Sequence, residues 1–307
     1  MQQFSILTPT YNRAKYLPRI YDCLCQQDVD LEWVIVDDGS TDNTREVVSG
    51  FGKSFEIKYA YQENAGKPTA HNRYMQMTDS LISKMLDDDD ILCPGALKSV
   101  WNYFDTKTGK FEQNCACLSG LCRYNNGEII GDKYPHDYFI SDDIKYIRNK
   151  FIRGDKSEYY VTEILKQYPF PIFKDEKNIA PSVISTRIAF THQTIYVNQI
   201  FEEKQFLEGG LSTQNYFIKY PLGSELTYNE RSGPPFRLLH QIKHSALYIY
   251  FAKMNRKKNI FKNAKNKIVF PLGLCGYVLF ALKYHLDKYP FMKNIKRKDF
   301  KIFTAEQ

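Results

Sequence analysis

Apolar and polar positions alternate in two rhythms along the first hundred residues. Short apolar runs at residues 4–8, 33–36, 56–61 and 81–86 read as strands. Between them, residues 15–26 space Leu17, Ile20, Tyr21 and Leu24 along one helical face. A second helix, capped by Ser40 or Thr41, is expected to run to about Phe51. Residues 67–79 form a third, with Pro68 in its first turn, and Pro94 opens a fourth that runs to Tyr103. Strands alternating with helices predict an α/β protein built on a Rossmann-like, mostly parallel, doubly wound sheet. Past residue 105 the rhythm weakens. A hairpin is expected from 115–124 and 128–130 around Asn125-Asn126-Gly127, then a helix over 159–168, a loop over 169–174, a helix over 178–190 and a strand over 194–201. From Arg231 onward the pattern is helical.

The polar residues between these runs fall into three clusters, 8–12, 37–40 and 87–90, each at the carboxyl end of an expected strand. Doubly wound sheets bind ligands at that edge. The third cluster is Asp87-Asp88-Asp89-Asp90. Adjacent carboxylates repel by ~1 kcal/mol per pair at 4 Å even in bulk water. In extended chain Asp87 and Asp89 share one face and Asp88 and Asp90 the other. Two carboxylates on one face at a strand end suit a hard divalent cation, Mg²⁺ or Mn²⁺. Asp37 and Asp38 end the neighbouring strand, where a carboxylate can accept from a uracil N3–H or a ribose hydroxyl.

Charge divides the chain. Residues 231–307 hold 17 Lys and Arg against 3 Asp and Glu, +14, which leaves −7 for residues 1–230 within the overall +7. A basic tail on an acidic body points to an anionic partner surface. Seven scattered cysteines and no secretion signal read as a reduced, cytoplasmic protein. Cys115, Cys117 and Cys122 cluster without a histidine, which argues against zinc.

Four motifs, in order, carry a family resemblance: Thr8-Pro9-Thr10-Tyr11-Asn12, residues 36–42 (VDDGSTD), residues 66–72 (GKPTAHN) and residues 86–94 (LDDDDILCP). They resemble the N-terminal half of family-2 glycosyltransferases of the GT-A fold, of the bacterial surface-polysaccharide type. The resemblance is close to about residue 104 and loose to about 210. It implies a nucleotide-sugar donor, usually UDP-linked, a metal on an Asp-x-Asp motif, and inversion at the anomeric carbon. By this resemblance Pro9, Thr10, Tyr11 and Asn12 line the nucleotide pocket, and Asp38 contacts the base. Asp87 lies near the ribose and, with Asp89, binds the metal. Lys67 lies near the uracil or the diphosphate, and Asn72 and Asp88 complete the donor site. Many relatives carry Arg where this chain has His71, and a neutral imidazole holds a phosphate less firmly.

The stretch 173–179 (FKDEKNI) resembles the base region of capsule-type relatives. It nominates Glu176 as the carboxylate that takes the acceptor's proton, with Asp175 and then Glu163 as alternatives. The chain then divides into a nucleotide-sugar-binding half, 1–104, an acceptor-binding half, 105–230, and a basic tail, 231–307. A Gln-x-x-Arg-Trp motif is absent, which favours single additions over processive synthesis. His240 and His244 are four residues apart, but no Glu lies between, so a helix surface is expected there rather than zinc.

Residues 268–282 carry no charge over 15 positions. That is short of the ~20 needed to span a bilayer. Lys and Arg flank the run on both sides, including Lys293, Lys296, Arg297 and Lys298. They suggest peripheral attachment to the inner face of the cytoplasmic membrane, where a glycan or lipid-linked acceptor would be met. Nucleic acid ranks last, since no groove-reading or base-stacking motif accompanies the charge. Two other classes stay open. One is a metal-dependent phosphoryl-transfer enzyme, although the residue 36–41 stretch lacks the required Asp spacing. The other is a membrane-associated nucleotide-binding protein without catalysis.

Overall fold

The computed structural model describes residues 2–105, 110–112, 115–144, 152–205 and 216–286. The chain forms two compact units, Met1–Asp143 with Gly154–Gly210, and Ile144–Arg153 with Leu211–Gln307.

The first unit is built on strands β1 (Phe4–Thr10), β2 (Leu31–Asp37), β3 (Glu56–Tyr61) and β4 (Ile82–Met85). They pair in parallel, in the order β3-β2-β1-β4, with Thr10 opposite Asp37 and Asp37 opposite Tyr61. Parallel strands covered on both faces need near-continuous apolar sequence, and every residue of β2 is buried. Helices α1 (Leu17–Cys25), α2 (Thr44–Ser49), α3 (Lys67–Met75) and α4 (Ala96–Trp101) alternate with the strands. Tyr74 ties α3 to the sheet through its hydroxyl, which donates to Ser5 O (3.0 Å) and lies in hydrogen-bond contact with Ser83 Oγ (2.9 Å). The cap of α2 comes from neither Ser40 nor Thr41. Asp42 accepts from Thr44 N (3.1 Å) and Ala14 N (3.1 Å), because the loop holds its carboxylate, not the hydroxyls, over the open amides.

Beyond β4 the sheet turns mixed. β5 (Ile91–Leu92), β8 (Cys115–Tyr124), β9 (Tyr138–Ser141), β10 (Lys156–Val161) and β11 (Gln193–Lys204) continue it, while β6 (Phe104–Asp105) and β7 (Lys110–Phe111) form a separate pair. β10 is antiparallel to both β4 and β8. Residues 156–161 are therefore strand where a helix over 159–168 was expected. Burial alternates Ser157, Tyr159, Val161 along them, and only the short α5 (Thr162–Leu165) follows. The expected window began inside this strand and missed its period of two. α6 (Ser182–Ala189) starts four residues later than expected, after Pro181. The hairpin turns at Gly127 (φ 88°), but its return arm is one bridge between Arg123 and Ile129.

The second unit is helical: α7 (Tyr216–Lys219), α8 (Pro221–Glu230), α9 (Leu238–Met254), α10 (Ile260–Asn263) and α11 (Phe270–Leu286). Its core joins Tyr228, Tyr248, Ile249, Phe251, Ala252 and Ala264. His240 and His244 are buried on α9, contrary to the expected surface placement. The mean spacing of polar residues on this helix does not reveal that α8 and α11 both pack on it. Among the described residues, no helix is long and apolar enough to cross a membrane. Lys293, Lys296, Arg297 and Lys298 lie outside them.

Candidate active site

The ends of β1, β2 and β4 lie side by side, so the three polar clusters meet at one sheet edge. Residues 87–90 are not extended there. Asp90 N donates to Asp87 O (3.1 Å) and closes a turn. The turn carries Asp90 round to the others, so carboxylate oxygens of Asp87, Asp89 and Asp90 all lie within 4.8 Å of one another. The expected two-and-two division of the four aspartates is corrected in this respect: Asp90 joins the Asp87–Asp89 side, and Asp88 stands apart.

Asp88 is buried. Its carboxylate accepts from Arg13 Nη1 (2.5 Å) and from Thr10 Oγ1 (3.1 Å). Burial pushes it up to about 6, against the pull of Arg13. Arg13 also reaches Asp89 Oδ2 (3.1 Å), and Arg19 donates to the Asp89 carbonyl. Lys67, the first residue of α3, donates to Asp87 Oδ1 (2.6 Å). Burial disfavours the Asp87 charge, but Lys67 and Lys204 outweigh it and hold the carboxyl below its ordinary range. Asp90 pairs with Lys204 (2.7 Å). Burial nevertheless pushes Asp90 up.

Lys204 belongs to a chain of buried charges beneath the aspartates. Its Nζ also lies 3.0 Å from Glu202 Oε1, while Glu202 Oε2 accepts from Lys84 (2.5 Å) and Ser157 Oγ (2.8 Å). Burial opposes charge on Glu202, yet Lys204 and Lys84 keep it ionised, with its pKa lowered. The chain links β4, β10 and β11 under the site.

The other expected site residues divide into those open to a ligand and those engaged with the protein. Tyr11 is 49% exposed. Asn12 sits at φ 53°, and its Oδ1 accepts from Thr41 N (2.7 Å), stitching the β1 and β2 loops together. Pro9 is half-buried at the end of β1. Asp38 accepts from Gln62 Nε2 (2.7 Å), Ala65 N (2.9 Å) and Gly66 N (2.8 Å), so its carboxylate organises the loop before α3. Asn72 clamps Phe170 at both ends of its amide, donating to the carbonyl (2.8 Å) and accepting from the amide (2.8 Å). His71 is buried edge-on to Phe170, at 4.9 Å between centroids. Burial, with help from the Lys67 charge, lowers it to about 4 and leaves it neutral.

The candidate bases are placed differently from one another. Asp175 and Glu176 lie in a tight turn in which Glu176 N donates to Phe173 O (3.2 Å); Asp175 is exposed and Glu176 half-buried. That turn is pressed on the loop that ends in Lys67. Lys177 Nζ donates to Asn64 Oδ1 (2.7 Å), and a Cβ on Gly66 (φ 93°) would collide with the Lys177 backbone. Glu163 lies elsewhere. Its neighbour Thr162 donates to Leu81 O (3.0 Å), at the start of β4, so it stands at the sheet edge opposite Asp87.

Gly66→Ala is therefore expected to destabilise the protein. Its backbone conformation costs other residues about 1–3 kcal/mol, and overpacking adds about 1–3 kcal/mol. Urea denaturation measures the loss. An unchanged midpoint would show that the 173–177 turn does not depend on this contact.

Arg13, Arg19, Lys204 and Glu202 were not legible as site residues. Arg13 directly follows a recognised motif, which is the one local hint. Lys204 and Glu202 come from a strand more than a hundred residues away, with no signal in their own neighbourhood.

A mixed sheet with converging strand ends, an aspartate cluster on the fourth strand and an antiparallel β10 inserted beyond it is the GT-A glycosyltransferase fold. Residues 5–111 match the model "Glycosyl transferase family 2". An uncharacterized glycosyltransferase of Nostoc sp. is 36% identical over 107 residues, 34% of this chain and 33% of that protein. The poly(ribitol-phosphate) beta-N-acetylglucosaminyltransferase TarS of Staphylococcus aureus is 31% identical over 110 residues, 34% of this chain and 19% of that protein. The matched segments thus span a third or less of these two relatives. The crystal structure of TarS 1–349 in complex with UDP-GlcNAc is similar at a TM-score of 0.65 and 18% identity, over 88% of this chain and 78% of that chain. A Pyrobaculum calidifontis mannosyltransferase solved with GDP-Man and Mn²⁺ gives 0.50 and 15%, over 99% and 84%.

Proposed function

We propose that this chain is an inverting glycosyltransferase that moves one sugar from a UDP-sugar to a hydroxyl of a glycan or lipid-linked acceptor at the inner membrane surface. The observation that carries the reading is the convergence of Asp87, Asp89 and Asp90 at the end of β4, within the segment that matches the family-2 model. TarS binding of UDP-GlcNAc supports the choice of a uridine donor.

The donor set fits a hard divalent cation, Mn²⁺ or Mg²⁺. Three carboxylates offer oxygen ligands, and hard cations take oxygen. Arg13, Lys67 and Lys204 pair with the aspartates, and Arg19 donates to the Asp89 carbonyl. Asp87, Asp89 and Asp90 would hold the ion, which would supply charge stabilisation to a departing diphosphate. Lys67, half-buried at the start of α3, adds a second positive charge beside the same oxygens. The open Tyr11 ring offers a face for the base to stack on. Asp38 and Asn72 act on this site through the loops they hold. Glu176 takes the proton from the attacking hydroxyl as the new bond forms, in a single displacement that inverts the anomeric centre.

The test is release of UDP from UDP-sugars by purified protein with Mn²⁺, alone and with acceptors. Glu176→Gln is expected to keep donor affinity and to lose transfer by roughly 10²–10⁴-fold. Transfer near the wild-type rate would move the base to Asp175. Metal-dependent UDP binding with no turnover on any acceptor would favour a non-catalytic nucleotide-binding protein.

A further inference from the structure

α11 is turned inside out for a helix in water. Its small residues face the protein: Gly273 lies against Ser245, so closely that a Cβ would collide, and Gly276 meets Ala246 Cβ at the distance of ordinary contact (3.4 Å). Tyr277 is capped by Lys253, whose Nζ lies 4.5 Å from the ring centroid. Phe270 and Tyr277 also pack inward, but four other large apolar residues of the helix point the other way. Leu272, Leu274, Val278 and Leu279 are all exposed, Leu279 by 69%, and Ile268 just before the helix by 89%. A helix in water normally buries such residues and exposes polar ones.

The surrounding charge is one-sided. Residues 231–286 contain 11 Lys and Arg and no Asp or Glu. Lys257, Lys258, Lys262, Lys265 and Lys267, on the segment that leads into α11, are all exposed. A second copy of the chain would cover the leucines only by bringing two such basic surfaces together. Nucleic acid would answer the lysines and leave the leucines in water. An anionic bilayer answers both, with headgroups for the ammonium groups and acyl chains for the leucines.

We infer that α11 is an in-plane membrane anchor: Gly273 and Gly276 seat it on α9, and Leu272, Leu274, Val278 and Leu279 enter the interface of a bilayer rich in anionic lipid. The inference deepens the membrane part of the function proposed above and is independent of the sugar chemistry. The 17 described residues of α11 are too few to cross a bilayer, which favours a helix lying on the surface.

The experiment is co-sedimentation of the full chain with vesicles of phosphatidylglycerol and phosphatidylcholine, and with phosphatidylcholine alone, with donor binding followed in parallel. Wild-type protein is expected to pellet with the anionic vesicles and to be partly released by high salt. The double change Leu272→Ser with Leu279→Ser touches only exposed positions, and should weaken vesicle binding by roughly tenfold or more. Lys262→Glu with Lys265→Glu should weaken it too and reduce its salt dependence. Donor binding should be unchanged in both, so a failed donor assay would count against the enzyme reading and not against the anchor. Wild-type protein that stays in solution with anionic vesicles at low salt overturns the inference. So does a leucine variant that binds as well as wild type, or a wild-type dimer that the leucine changes dissociate.

Discussion

Asp89→Asn is expected to remove metal-dependent donor binding and sugar transfer while leaving the fold intact. The Asp89 side chain is only partly buried, and Arg13, which it meets at 3.1 Å, keeps a shorter contact with Asp88. Little of the folded structure therefore depends on the Asp89 charge. The proposed ion loses one of its three carboxylate ligands. Removing one preorganised electrostatic contact of this kind costs about 10²–10³-fold in turnover. The measurements are Mn²⁺ titration by calorimetry, transfer rate and the thermal midpoint. A variant that binds Mn²⁺ and UDP as wild type does would remove Asp89 from the metal set. Asp88→Asn should behave differently. Asp88 is buried against Arg13 and Thr10, so its loss should appear first as a lower midpoint.

Glu202→Gln is expected to destabilise the protein by roughly 3–5 kcal/mol, the usual cost of leaving one partner of a buried ion pair uncompensated. Glu202 accepts from Lys84 and Ser157 and sits within 3.0 Å of Lys204, with almost no exposure. In the variant Lys204 keeps Asp90, but Lys84 loses its anionic partner and is left with a neutral amide and the face of the Tyr159 ring, 5.3 Å away. Adding Lys84→Met removes the stranded charge and should restore much of the loss, because replacing both partners of a buried pair is often close to neutral. Urea denaturation of the single and double variants decides this. A single-variant loss below about 1 kcal/mol, or a double variant no better than the single, would mean that water reaches the pair and screens it.

What could be read without a structure was local. β1 and β2 are almost wholly buried, so apolar residues predominate in them, and runs such as residues 33–36 announce them. Where the strands end, polar residues must follow, and in parallel strands these ends fall on the same edge. The aspartate cluster and its neighbours at 8–12 and 37–40 were therefore legible together. So was the lack of a spanning helix among the described residues, since length alone limits it. The tertiary structure decided whatever depends on contacts distant along the chain or on the path of a loop. The turn at 87–90 puts Asp90 with Asp87 and Asp89, against the alternation that an extended chain would show. Lys204 and Glu202 reach the site through strand pairing across more than a hundred residues. Asp38 and Asn72 have side chains suited to a ligand, yet loop geometry commits them to Gly66 and Phe170. The outward leucines of α11 follow from two glycines that fit α9 more closely than leucine can. Periodicity tells which residues share a face. Only packing determines which face turns inward, because that depends on the shape of a neighbour encoded elsewhere in the chain.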